Sequence, residues 1–329
     1  MNERIYYPYS EYLKNKYGQK VYKLPVNLPI TCPNRLEDKG CIFCADQGTG
    51  FEAASSSISV KQQLEETKEL IRRKYHAHKY IAYFQNYTNT FMPLTHFRAY
   101  LNAAAQVAGI VEIAVSTRPD CIRQDYLEAL NEIACRYNLT VTIELGLQTA
   151  NYHTLEQIRR GHSLAEFIDA CLQIRPYGFS VCAHVILNLP MDDHLDAVET
   201  AKILSALHVD TVKIHSLYIA KNTLLCEAYE SGTISVCSKE EYFERLILFL
   251  EHLDPVIAVE RLFSRVPEKD AVFSNWETSW WKLKDQFIKK MQAEESCQGK
   301  RFDYLNGSAL RKLELQEASR CQKEMNQPV

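Results

Sequence analysis

What most constrains the fold of this chain is the way its apolar residues switch period, from two to a helical spacing and back, along most of its length. Period-two runs at Lys20–Leu24, Tyr80–Gln85, Val111–Thr117, Thr140–Gln148, Phe179–Leu187 and Thr211–Tyr218, with a weaker one at Val256–Phe263, read as strands. Helical spacing fills the gaps near Val60–Tyr75, Leu94–Val107, Ile122–Tyr137, Leu164–Ile174, Leu195–Leu207 and Lys239–Leu253. A parallel strand pair needs a long crossover, and a helix supplies it. The alternation therefore predicts an α/β fold: six βα units around a parallel sheet, closed part-way into a (β/α)6 barrel. Residues 1–19 precede this barrel and residues 20–263 build it. Residues 264–329 follow as an extension, with a helix to about Ala293 and a polar, poorly ordered tail from Gly307 and its approach to Val329. There are no internal repeats or low-complexity tracts.

Successive strand residues point to opposite faces, so period two also says what the barrel encloses. In the fourth strand Val141, Ile143, Leu145 and Leu147 face the helices, leaving Thr142, Glu144, Gly146 and Gln148 inside. In the fifth, Val181, Ala183, Val185 and Leu187 face out while Ser180, Cys182, His184, Ile186 and Asn188 face in. Lys213 and His215 share a face of the sixth, opposite Val212 and Ile214. A solid barrel core consists of branched apolar side chains, so Glu144, Gln148, His184, Lys213 and His215 together read as the lining of a cavity. Any one of them alone reads equally well as an exposed strand end. A carboxylate facing the interior also needs a partner.

Directly after the first strand come Cys32, Cys41 and Cys44, in Thr-Cys-Pro-Asn-Arg and Gly-Cys-Ile-Phe-Cys. Structural zinc sites and ferredoxin clusters recruit four protein ligands, whereas three thiolates suit a 4Fe-4S cluster with one open iron. The alternative is a zinc knuckle whose fourth ligand, His76, His78 or Cys121, arrives from afar. The other eight cysteines are scattered, form no disulfide framework and read as packing thiols.

Composition narrows the setting. With 329 residues, 46% of them hydrophobic, the chain can bury one large core or two small ones. No run of 18 apolar residues and no apolar signal core are present, which argues for a cytoplasmic protein without membrane contact, in a compartment that keeps thiols reduced. A net charge of −3 gives no global attraction to nucleic acid. Residues 1–23, however, carry Arg4, Lys14, Lys16, Lys20 and Lys23 against Glu3 and Glu11, interleaved with six tyrosines. That mixture suits RNA contact, and it equally suits packing at a domain start.

The cysteine loop, Phe43 before its last cysteine, and the six βα units resemble the radical S-adenosylmethionine (SAM) superfamily. From about Tyr12 to Arg261 the chain is similar to the YtqA/YhcC-like branch, neighbour of the Elongator catalytic subunit and of oxygen-independent coproporphyrinogen oxidase. The shared runs are Cys32-Pro-Asn-Arg35, Tyr87-Thr-Asn-Thr90, Ser116-Thr-Arg-Pro-Asp-Cys121, Glu144-Leu-Gly-Leu-Gln-Thr149, Arg160-Gly-His162, Cys182-Ala-His184 and Lys213-Ile-His215. The resemblance implies that Cys32, Cys41 and Cys44 anchor a 4Fe-4S cluster whose open iron binds SAM, and that reductive cleavage of SAM yields a 5′-deoxyadenosyl radical. It further implies that Phe43 contacts the adenine, that Ser116 and Gln148 approach the ribose, and that Arg160 binds the SAM carboxylate with its planar fork. Without it, Arg160 beside Arg159 reads as a solvated charge near a helix end.

The chain departs from the family pattern in three places. Eight residues separate the first two cysteines where three are usual, and the loop is shorter and poorer in glycine than is common in the branch. Gln85-Asn-Tyr-Thr-Asn-Thr90 replaces a glycine-glycine-glutamate stretch, which leaves the grip on the SAM amino group open. Asn188 stands where glycine lets the adenine approach the backbone; asparagine tolerates left-handed conformations better than most residues. The implied substrate is the wobble uridine of tRNA, whose carboxymethylaminomethyl side chain becomes aminomethyl, with Glu144, His184, Lys213 and His215 around the reacting group and a flavodoxin- or ferredoxin-type electron donor as partner. A tetrapyrrole or other small molecule is the second enzymatic reading, and a non-catalytic iron–sulfur or RNA-binding module the third. The joint presence of Cys32, Cys41, Cys44, Gln148 and Arg160 argues against the third.

Overall fold

The computed structural model describes residues 4–37, 40–45, 54–311 and 313. In chain order the elements are α1 (Tyr9–Tyr17), β1 (Val21–Val26), α2 (Asn34–Glu37), α3 (Val60–Tyr75), β2 (Lys79–Phe84), α4 (Leu94–Ala105) and β3 (Ile110–Thr117). There follow α5 (Gln124–Tyr137), β4 (Thr140–Gln148), α6 (Tyr152–Gln157), α7 (Leu164–Ile174), β5 (Ser180–Ile186), α8 (His194–Ala206) and β6 (Thr211–His215). The chain finishes with β7 (Tyr218–Ala220), α9 (Leu224–Glu230), α10 (Lys239–His252), β8 (Ala258–Arg261), β9 (Ala271–Ser274) and α11 (Trp280–Ala293). Strands β1 to β6 and then β8 form one parallel sheet in sequence order, curled as a half-barrel, and β7 pairs with β9 in a separate antiparallel ribbon. The alternation of periods thus delivers the expected α/β partial barrel, with β8 as a seventh strand.

Local chemistry sets the element ends. Ser59 caps α3 by accepting from the Gln62 amide, and Ser163 with Glu166 forms a capping box on α7, so both helices start where the apolar spacing does. The outward strand residues Val141, Ile143, Leu145, Leu147, Val181, Ala183, Val185 and Leu187 all sit in the main core under the helices. The sixth strand is shorter than the expected Thr211–Tyr218. After His215 the Leu217 amide donates to Asn188 Oδ1 at 2.6 Å and Ser264 Oγ donates to the Ser216 carbonyl at 2.6 Å, which draws the chain out of the sheet into β7.

The N-terminal segment is structural where its tyrosines are concerned. Leu13 of α1, with Tyr9, Tyr12 and Tyr17, packs on the inward residues Val21, Ile81, Tyr83 and Ala114 at the N-terminal end of the strands. Lys16 Nζ lies 2.9 Å from buried Glu112, and the Tyr17 hydroxyl contacts Glu112 and Thr140. Just before α1, Pro8 bridges to Val259 and the Val259 amide donates to the Tyr7 carbonyl at 2.8 Å, so this segment joins the first and last strands of the open barrel.

The C-terminal stretch is held the same way. Leu283, Phe287 and Met291 of α11 lie in the main core. Gln298 then accepts from the Tyr7 amide and donates to the carbonyls of Asp254 and Ile257, each at 2.8 Å. The approach to the tail is therefore ordered, contrary to its polar composition, because its polar groups satisfy loop backbone. The tail expected to be disordered falls largely on residues 314–329, outside the described residues.

Candidate functional site

One cavity opens at the C-terminal ends of the strands. The loop after β1 brings Cys32, Cys41, Phe43 and Cys44 to it, β3 brings Ser116, β4 Glu144, Gly146 and Gln148, β5 His184 and Ile186, β6 Lys213 and His215, and the turn after α6 brings Arg160. Of the residues singled out in the sequence, only Asn188 is absent from this lining. It is fully buried; its Oδ1 accepts from the Leu217 amide, and its Nδ2 has no partner among the described residues.

Each cysteine has a guanidinium beside it. Arg118 Nη1 is 3.9 Å from Cys32 Sγ, Arg160 Nη1 is 3.6 Å from Cys41 Sγ, and Arg35 Nη2 is 3.4 Å from Cys44 Sγ. Asn34 Nδ2 adds a contact to Cys41 at 3.5 Å. Burial pushes the Cys44 thiol up and Arg35 pulls against it. Positive charge next to thiols favours the thiolate, the ligating form.

The trio is open rather than clenched. Thiolates around one tetrahedral zinc stand roughly 3.8 Å apart, since Zn–S bonds are about 2.3 Å. Among the described residues the only set of three His, Cys, Asp or Glu ligand atoms gathered within 4.8 Å is Glu144, Cys182 and His184, so the three sulfurs Cys32, Cys41 and Cys44 do not meet even that looser limit. The candidates for a fourth zinc ligand also fail. His76 and His78 flank the start of β2, at the far end of the strands, and Cys121, beside Asp120 with its thiol pushed by burial up to about 12, belongs to no gathered ligand set among the described residues. Three spread thiols, no fourth protein ligand among the described residues and flanking guanidiniums fit a multinuclear, negatively charged cluster better than a zinc knuckle.

Two glycines let Arg160 reach this place. A Cβ on Gly146 would fall 2.5 Å from Arg160 Nη2, and the bare strand instead gives its carbonyl to Arg160 Nη2 at 2.8 Å and to His162 Nε2 at 2.9 Å. Gly161, at φ +72°, leaves room for Asn34, whose amide donates to the carbonyls of Arg159 and Arg160 at 2.9 Å. Arg160 is consequently buried, not a solvated surface charge, and no carboxylate pairs with it among the described residues. Next to Gly146, a bulge between β4 and β5 holds Gln148 at φ +78° and aims it into the cavity.

The cavity floor is a buried charge network. Glu144 receives Lys23 at 2.5 Å, His184 Nε2 at 2.7 Å and Lys213 at 3.1 Å. Lys23 also holds Glu260 at 2.8 Å, and Lys213 donates to the Tyr83 hydroxyl at 2.9 Å. Burial opposes ionisation of Glu144, yet Lys213 and Lys23 keep its carboxyl well below the usual range. Burial, with Lys213 and Arg261 as cationic neighbours, pushes His184 and His215 down, so both imidazoles are neutral at pH 7. Their rings stack 5.4 Å apart, and Arg261 Nη2 lies 2.7 Å from His215 Nδ1.

Several residues here escaped sequence reasoning. Lys23 is grouped there with the basic N-terminal segment, Arg118 stands in the shared run Ser116–Cys121 without a role, Tyr83 carries no distinguishing pattern, and Arg261 lies on the weakest strand signal. Period two would also place Glu260 and Arg261 on opposite faces. A bulge on β8, where Val212 pairs with Val259 but Lys213 with Arg261, brings both to the cavity side.

This chain belongs to the radical SAM superfamily, enzymes that use a 4Fe-4S cluster and SAM: the superfamily profile matches residues 26–204, and the Radical_SAM C-terminal domain profile matches residues 209–293. It is 32% identical over 306 residues to the uncharacterized protein YtqA of Bacillus subtilis, covering 92% of this chain and 94% of that protein. Over 138 residues it is 28% identical to the tRNA uridine(34) acetyltransferase of Methanocaldococcus jannaschii, 41% of this chain and 24% of that one. Among solved structures, the archaeal Elp3 of Methanocaldococcus infernus superimposes with a TM-score of 0.66 at 17% identity, covering 84% of this chain and 64% of that one. Among the described residues no helix is long and apolar enough to cross a membrane.

Proposed function

We propose that this radical SAM enzyme acts on tRNA and converts the carboxymethylaminomethyl side chain of a wobble uridine to aminomethyl. The observation that carries the reading is one cavity where three spread thiols share space with buried Arg160 and half-buried Arg261, neither of which has a carboxylate partner among the described residues, as SAM and a carboxylate-bearing substrate require. The partial likeness to a protein named for tRNA uridine(34) supports the same substrate class.

In this reading Cys32, Cys41 and Cys44 hold the cluster and Arg160 takes the SAM carboxylate. Phe43 lies against the adenine, Ser116 and Gln148 meet the ribose, and Asn188 fixes the backbone turn after β5 near the adenine. When bound, the cluster and SAM supply a 5′-deoxyadenosyl radical that removes a hydrogen atom. The target is the carbon between amine nitrogen and carboxylate, where a radical is delocalised over both. That delocalisation requires a free amine, and in this reading the neutral imidazole of His184, whose Nε2 donates to Glu144, takes its proton on the other ring nitrogen while His215 accepts from Arg261. Loss of a second electron from that carbon, with SAM as the net two-electron oxidant, gives an imine. Addition of water to the imine then breaks the carbon–nitrogen bond and releases the two-carbon fragment as glyoxylate, while Glu144 keeps Lys213 charged and aimed at the cavity. We place the protein in the cytoplasm with a flavodoxin- or ferredoxin-type donor, in line with ten described cysteines that are all free.

Nucleoside mass spectrometry of tRNA from a strain lacking the gene tests this. The expected result is accumulation of the carboxymethylaminomethyl nucleoside and loss of the aminomethyl one, reversed when the reconstituted protein, SAM and a reductant are added to the isolated tRNA. An unchanged nucleoside profile overturns the substrate assignment.

A further inference from the structure

The cavity floor contains two ammonium groups, Lys23 and Lys213, and two carboxylates, Glu144 and Glu260, bound to one another. These four charges cancel. Arg261 is left over. It lines the same cavity, its only hydrogen-bond partner among the described residues is the neutral His215 ring, and its buried Nε has none. No carboxylate among the described residues lies within ion-pair distance of it, whereas the buried Arg118 pairs with Asp120 at 2.7 Å and Arg245 with Glu241 at 2.5 Å. The other unpaired arginine, Arg160, stands beside Cys41 on the cysteine side of the cavity.

A guanidinium cannot shed its charge at neutral pH, so a half-buried one whose Nε is enclosed without a partner is costly unless a ligand completes it. The β8 bulge produces this arrangement: by making Glu260 the extra residue it sends the carboxylate to Lys23 and turns the neighbouring guanidinium into the cavity. Burial draws the Arg261 pKa below its ordinary value although Glu260 and Glu144 act on it from a distance in the opposite direction.

We infer that Arg261, oriented by His215, is the binding site for the carboxylate of the substrate. The inference deepens the tRNA reading and rests on it for the identity of the molecule that bears the carboxylate. One planar fork matches one carboxylate in a bidentate pair, and His215 on its flank leaves the remaining donors to the ligand. Arg160 serves SAM, and Arg261 serves the substrate.

The test uses cluster-loaded protein and Arg261→Gln, with Arg261→Lys as the conservative variant and iron content and melting temperature as checks on folding. Affinity is measured for anticodon hairpins bearing the carboxymethylaminomethyl side chain, its neutral amide counterpart, or unmodified uridine. The wild type is expected to favour the carboxylate hairpin over the amide by about ten- to a hundredfold, the range of hydrogen bonds to charged groups. Arg261→Gln is expected to bind both equally, with Arg261→Lys between. An equal loss across all three hairpins assigns Arg261 to a backbone phosphate, a loss of SAM affinity assigns it to SAM, and either result overturns the inference. A parallel arm measures thermal stabilisation by N-benzylglycine and by its amide. Stabilisation by the acid alone, abolished in Arg261→Gln, upholds the carboxylate site even if no hairpin binds the wild type, in which case the tRNA reading is what fails. Equal stabilisation of wild type and Arg261→Gln by the acid overturns the site.

Discussion

At the scale of single residues the most informative group is Glu144. A carboxylate buried in a barrel survives only with partners, and it has three, drawn from β1, β5 and β6. Breaking a buried pair by removing one partner costs roughly 3–5 kcal/mol because a lone charge remains. Lys213 is one ion-pair partner of three, so Lys213→Ala leaves Glu144 and Glu260 on Lys23 at 2.5 and 2.8 Å, whereas Lys23→Ala leaves both carboxylates to the single ammonium of Lys213, at 3.1 and 3.7 Å. Lys213→Ala is therefore expected to lose less than about 3 kcal/mol, load its cluster and fail to modify the uridine side chain. Lys23→Ala is expected to melt much lower. If Lys213→Ala falls as far as Lys23→Ala and loses its iron, Lys213 serves the fold and not the substrate. The inward set Glu144, Gln148, His184, Lys213 and His215 was readable from period two because those strands are regular or bulge only at their ends. Their partners Lys23 and Tyr83 lie up to 130 residues away along the chain, and Lys23 and Glu260, which pair with each other, are 237 residues apart, so none of these leaves a local signal.

At the scale of elements, helices α3 and α7 and strand β4 keep the limits that their periods imply, since caps and apolar faces agree. Two departures share a cause, which is that side-chain-to-backbone hydrogen bonds override period. Asn188 and Ser264 end β6 early, and Gln298 orders a polar stretch that composition leaves loose. Basic and aromatic residues give α1 the composition of an RNA-binding segment, yet its tyrosines and Leu13 close the N-terminal end of the barrel. Truncating a fully buried leucine costs about 2–5 kcal/mol. Leu13→Ala is expected at the low end of that range in urea unfolding, with iron content unchanged because the cysteine loop lies at the opposite end of the strands. A variant as stable as the wild type contradicts the closing role of α1.

At the scale of the whole molecule, the half-barrel separates its tasks along the strand axis. The N-terminal end is filled by α1, and the C-terminal end carries thiols, arginines and the charge network in one cavity. The gap between the first and last strands is spanned near Pro8 and Val259 and again where Lys23 of β1 holds Glu260 of β8. A barrel only part-way closed can admit a side chain carried on a large substrate, which is the geometry a nucleotide in a folded RNA demands. Everything in this arrangement depends on what the three cysteines hold. Anaerobic reconstitution followed by iron and sulfide analysis and electron paramagnetic resonance measures it directly. The account predicts about four irons and four sulfides per chain, the content of one such cluster, with a signal that changes on adding SAM. Alanine at Cys32, Cys41 or Cys44 should abolish that signal, and alanine at Cys171 or Cys237 should leave it intact. Stoichiometric zinc in the native protein, with no iron taken up, would contradict the account.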